Sequence, residues 1–202
     1  MLSTTNSLNL RKILCVEMKS NWIKVSVIVG LVLLAAFSRL IPHPNNFTAI
    51  GALAIFGAYT IQNRWLSLAL PLIAMWVSDL IINNIVYASY TNSMIWFSQG
   101  FVWIYAGVLA QSIISWFLVS DNKFTNIIAS SLFGAIAFFI LSNLGVWVGS
   151  TMYPNTLSGL TTCFAAAIPF FANTLAGNLF FSFILFGSYF FIEKKANAFQ
   201  TA

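Results

Sequence analysis

The chain has 202 residues, of which 59% are apolar and only 6% charged, and its formal net charge is +5. Soluble domains carry about 25% charged residues, so nine basic and four acidic side chains cannot give a chain of this length a solvated surface. This excludes a cytosolic enzyme, a nucleic-acid-binding domain and a disulfide-stapled secreted module, and makes lipid the expected surroundings.

Residues 1–21 are polar, include Arg11, Lys12 and Lys19, and are expected to form a cytoplasmic N-terminal segment. A membrane-crossing helix needs about 20 mostly apolar residues, and on that basis spans are predicted over 22–40, 47–61, 65–86, 94–119 and 124–149. The last apolar stretch, 160–192, is longer than a hydrocarbon core of about 30 Å requires at about 1.5 Å per residue. It is therefore divided at Pro169 into a short interfacial or re-entrant piece and a sixth span over 173–192. Residues 193–202 follow as a cytoplasmic tail. Barrel-type alternation is absent. The fold class expected is thus an all-α integral membrane protein, with six transmembrane helices over 22–192 and both termini cytoplasmic.

The basic residues test that count. With six spans, eight of the nine Lys and Arg residues face the cytoplasm, and Arg39 alone does not. Five or seven spans would put Lys194 and Lys195 on the wrong side.

Polar side chains are expensive in a bilayer and mark candidate functional positions. In this orientation they gather in the outer halves of the spans. Asp79 comes first, followed by Asn83 and Asn84 one turn on. Trp96, Gln99 and Trp103 fall in the fourth span, and Asn143 and Trp147 form an i, i+4 pair in the fifth. Asn173 and Asn178 lie in the sixth. Arg39, His43, Asn45 and Asn46 sit at the outer end of the first span and in the loop after it. Aromatic walls with a few fixed polar groups are the makeup of a small-molecule pocket. Substrate-lining roles are therefore expected for Arg39, His43, Asn46, Asp79, Asn143, Trp147 and Asn173. Asp79 and Arg39 would pair with each other, or one would meet a charged substrate. The bland alternatives are interfacial aromatic belts for the Trp residues and inter-helix hydrogen bonds for the Asn residues.

His43 stands between two prolines. Its only soft potential co-ligands are Cys15 and Cys163, predicted on opposite sides of the membrane, so neither a metal nor any other cofactor is expected. Phosphate-loop, zinc-protease and serine-elbow motifs are missing, so the chain cannot hydrolyse ATP by itself and is not expected to be an enzyme. Ser26-x-x-x-Gly30 and Ala54-x-x-x-Ala58 have the small-residue spacing that lets membrane helices approach closely.

Several segments carry a family resemblance: Arg39 to Ala54, with Pro42-His43-Pro44 and Asn46-Phe47; Ser78-Asp79-Leu80; Ser142-Asn143-Leu144-Gly145-Val146-Trp147; and Tyr153-Pro154 through Phe170-Phe171-Ala172-Asn173-Thr174. Together they resemble an uncharacterised family of bacterial inner-membrane proteins marked by an Arg-x-x-Pro-His-Pro-x-Asn-Phe motif. That family is in turn similar to the substrate-binding S components of energy-coupling-factor (ECF) vitamin transporters. The resemblance implies an S-component-like bundle in the inner membrane that captures a vitamin-like solute from outside. It also implies a partner, a separate transmembrane subunit with two ATPases. S components usually carry Ala-x-x-x-Ala in the first helix, where this chain has Ser26-x-x-x-Gly30, so a carrier working alone is the other form of the expectation. Two rival readings remain. One is a membrane enzyme acting on a lipid or isoprenoid, with His43 and Asp79 as an acid–base pair. The other is a non-catalytic assembly subunit with no cavity.

Overall fold

Apolar runs broken by prolines, glycines and Asn-rich turns set the helices of this computed structural model. It describes residues 25–119 and 124–200, except 27, 36, 91 and 92 and the side chains at 90 and 196–200. The expected N-terminal segment 1–21, with Cys15, lies outside the described residues, as do Lys24 and Lys123. Among the described residues all regular structure is helical.

Helix α1 (Ile28–Leu40) ends in a tight 3-10 turn, Ser38–Leu40, just before the Pro42-His43-Pro44 loop. Helix α2 (Ile50–Thr60) is short. Helix α3 (Arg64–Ile81) starts at Asn63, whose Oδ1 accepts a hydrogen bond from Leu66 N at 3.2 Å, an N-terminal cap. It runs on through a π-helical turn, Ile82–Val86. Helix α4 (Phe101–Leu118) begins after Gly100, whose φ of 74° lies in the left-handed region that glycine occupies without strain. Helices α5 (Phe124–Gly149) and α6 (Leu157–Gln200) complete the chain.

Among the described residues, four segments are long and apolar enough to cross a membrane: Arg64–Val86, Phe101–Leu118, Phe124–Gly149 and Leu157–Lys195. Two sequence expectations change here. The stretch divided at Pro169 is one continuous helix of 44 residues. Proline removes one backbone donor, and bundle contacts on either side can carry a membrane helix past that gap. The predicted span 94–119 begins only at Phe101, leaving Trp96 and Gln99 in an irregular segment before it. Asn84 pins that segment, exchanging two bonds with Ile95 (Nδ2 to O 2.8 Å, N to Oδ1 2.7 Å), while Asn83 Nδ2 reaches Ser98 Oγ at 2.9 Å.

Helix α2 is the hub. It packs on α3, α4, α5 and α6, and every residue from Ile50 to Gly57 is buried. A helix apolar all round belongs inside a bundle. Phe56 meets Phe186 and Tyr189 edge-on, with ring centroids 5.4 and 5.7 Å away. The outside of the bundle carries large apolar side chains such as Phe117, Phe133 and Phe183. In lipid that exterior costs nothing, so close packing rather than hydrophobic exclusion holds the helices together.

Candidate functional site

A cavity of about 580 Å³ opens at the end of the bundle where α1 and α5 stop and α2, α4 and α6 start. Its walls are mainly apolar and aromatic, with Ile104, Val108, Phe138, Phe139, Phe170 and Phe171 among them. Four of the seven predicted residues, Arg39, His43, Asn46 and Asn143, contribute to this one wall. Asp79, Trp147 and Asn173 are not part of it, and each instead holds something that is.

Asp79 stands behind Arg39. Its Oδ1 lies 2.7 Å from Arg39 Nη1, and the two side chains are 13% and 15% exposed. The same Nη1 donates to Ser78 Oγ at 2.6 Å and to Met75 O at 3.2 Å, while Tyr105 OH donates to Asp79 Oδ2 at 3.3 Å. The guanidinium is thus fixed against α3 with its charge matched, which is how a cation survives at this depth. Of the two roles expected for this pair, mutual pairing is the one observed.

Trp147 donates from Nε1 to Pro154 O at 3.0 Å, pinning the α5–α6 loop that brings Met152 and Tyr153 to the wall. Asn173 donates from Nδ2 to Asn45 O at 3.0 Å, tying α6 to the loop after α1. One turn on, a Cβ at Gly177 would come within 3.0 Å of Thr48 N, so the loop lies directly on the helix. Phe47 adds ring contacts with Phe180 and Phe181 at 5.7 and 5.5 Å. Asn46 itself has φ 64°, a left-handed conformation that asparagine tolerates better than most residues.

His43 is exposed at the rim, its Nδ1 2.9 Å from Pro44 O. No hydrogen bond or ion pair joins His43 to Asp79, whose partners are Arg39 and Tyr105. Asn143 Nδ2 donates to Phe139 O of its own helix at 2.7 Å. Cys163, buried, reaches Asn143 O at 3.6 Å and shares the wall with His43, yet no cluster of three His, Cys, Asp or Glu side chains exists among the described residues.

The expected lining, which noted Asn178 only as a polar residue of the sixth span and left out Gln111, did not include the cavity floor. Gln111 and Asn178 form it, both almost wholly buried, where four helices meet. A lone glutamine within eighteen otherwise largely apolar residues of α4 was the available signal. The small-residue spacings also separate. Ala54 is buried inside the bundle, whereas a Cβ at Gly30 would meet open space and Ser26 is exposed.

The chain belongs to a family of unknown function (DUF6580), whose model matches residues 19–199. No curated protein and no solved structure matches it.

Proposed function

We propose that this protein is an inner-membrane transport component that captures a small, ring-containing solute in the cavity for uptake, in the manner of an S component. The observation that supports this most is the hollow itself. A volume of about 580 Å³, apolar walls and a few fixed polar groups match the usual makeup of small-molecule sites. In this reading α1 and α2 complete a six-span bundle with both termini in the cytoplasm, and the mouth faces outward. Basic residues at the other end favour that orientation. Arg64 lies 4.0 Å over the Trp116 ring there, and Lys194 and Lys195 lie near the far end of α6. The Ser26–Gly30 notch, turned away from the bundle, would receive an energy-coupling subunit, the ATP-driven partner that the chain itself cannot replace.

The assembly-subunit reading predicts no cavity, and the lipid-enzyme reading needs His43 and Asp79 as an acid–base pair, whereas the contacts of the first are to Pro44 O and of the second to Arg39 and Tyr105. The test is direct. Protein purified into lipid nanodiscs is denatured and its extract compared by mass spectrometry with that of Ala166→Trp, a wall substitution that fills the cavity. A non-lipid molecule near one per chain, lost in the variant, is the expected result. Identical extracts from both proteins would refute the carrier reading.

A further inference from the structure

Gln111 is buried at a cost that the bundle does not recover. It lies ten residues into α4, about 15 Å below the first residue at about 1.5 Å per residue. The residue is 2% exposed and forms part of the cavity floor, yet its Nε2 has no hydrogen-bond partner among the described residues. Trp76 Nε1, Ser130 Oγ and Ser182 Oγ also lack partners, but none of those three residues lines the cavity. The nearby donors are engaged with backbone carbonyls, and no hydrogen bond joins Asn178 Oδ1 to Gln111 Nε2. Asn178 Nδ2 donates to Ser131 O at 3.2 Å, and Ser115 Oγ to Gln111 O at 2.8 Å.

The position is built rather than incidental. A Cβ at Gly51 would overlap both Gln111 Nε2 and Asn178 Oδ1, and one at Gly134 would come within 2.6 Å of Gln111 Cγ. Two helices therefore omit a side chain so that this amide can lie at the bottom of the hollow. A buried polar group without a partner is destabilising, and in a bilayer such groups mark function. What would satisfy it is an acceptor atom entering from the cavity. The rest of the wall narrows the class. Aromatic rings surround the space, and Arg39, the permanently charged residue on the wall, is already neutralised by Asp79.

We infer that the cavity takes an uncharged, flat, ring-containing solute that presents a carbonyl oxygen to Gln111 Nε2 at the floor. This rests on reading the cavity as a solute site. It adds a chemical class and a recognition residue to that reading.

The test uses paired probes that differ only in the acceptor: 2-acetylnaphthalene with 2-isopropenylnaphthalene, and 1-tetralone with 1-methylenetetralin. Binding to the full chain in nanodiscs is measured by equilibrium dialysis, with partition into empty discs subtracted. The carbonyl member of each pair should bind wild type at least about tenfold more tightly, because its loss leaves a buried donor unpaired. Gln111→Met and Gln111→Leu should bring that ratio to about one without lowering the thermal midpoint, since an unpaired donor contributes nothing to the empty fold. A wild-type ratio near one overturns the acceptor assignment and leaves the pocket reading standing, because both members still bind. Binding of neither member overturns both. A large fall in midpoint for both variants would make Gln111 an inter-helix clamp with Asn178, which also overturns the assignment.

Discussion

Removing the Asp79 charge should expose how much of the cavity wall depends on it. In Asp79→Asn the shape is kept, but Arg39 loses the carboxylate 2.7 Å away while staying only 15% exposed. Two other bonds remain on Nη1, to Ser78 Oγ and Met75 O, and neither carries charge. Leaving one member of a buried ion pair uncompensated costs about 3–5 kcal/mol. For a chain of this length, each kcal/mol moves a thermal midpoint by about 2–4 °C, so a loss of roughly 10 °C is expected. The double variant Arg39→Gln/Asp79→Asn removes both charges together and should recover most of the loss. The buried thiol of Cys163 supplies the assay, since a thiol-reactive dye reports its exposure on heating in a Cys15→Ser background. A midpoint within about 1 °C of wild type for Asp79→Asn, or a double variant as damaged as the single one, would refute the reasoning.

The remaining predictions concern loops, close approaches and sidedness. Trp147→Phe keeps the ring but loses the bond to Pro154 O, worth about 0.5–1.5 kcal/mol. Faster amide exchange over 151–156 should follow with little change in midpoint, and unchanged exchange would show that the tether does not hold the loop. Gly51→Ala should destabilise by about 1–3 kcal/mol, because its Cβ has nowhere to go, whereas Gly30→Ala should be tolerated. Equal midpoints for the two would count against the packing around Gln111. Offered from outside intact cells, a membrane-impermeant maleimide should label Asn155→Cys but not Gln62→Cys, both being exposed positions at opposite ends of the bundle. The reverse pattern would turn the cavity mouth to the cytoplasm.

Composition together with apolar runs of about 20 residues and no barrel-type alternation was enough to read helices of membrane-crossing length, and the described residues are all-helical in their regular structure. The clustering of costly polar groups at one end was legible because lipid tolerates few such side chains. What could not be read was which of those groups form the wall and which support it. Asp79, Trp147 and Asn173 have the same polarity signal as Arg39 and Asn143, and only the direction of their hydrogen bonds separates them. Gln111 escaped notice because attention to helix ends passes over a residue near the middle of α4, and its neighbours Gly51 and Gly134 come from other helices. The division at Pro169 failed because a length argument assumes a helix confined to the hydrocarbon layer, which α6 does not obey.

Helix α2 bears on biogenesis. Its 11 residues extend only about 16 Å, roughly half the thickness of the hydrocarbon layer. A nascent segment so short cannot leave the translocon as an independent stable insert, however apolar it is. It has to wait for its neighbours from α3 to α6 to form a protein-lined berth. The seating of this central peg is therefore expected to come late in maturation, and truncations that end before α6 should be cleared by quality control.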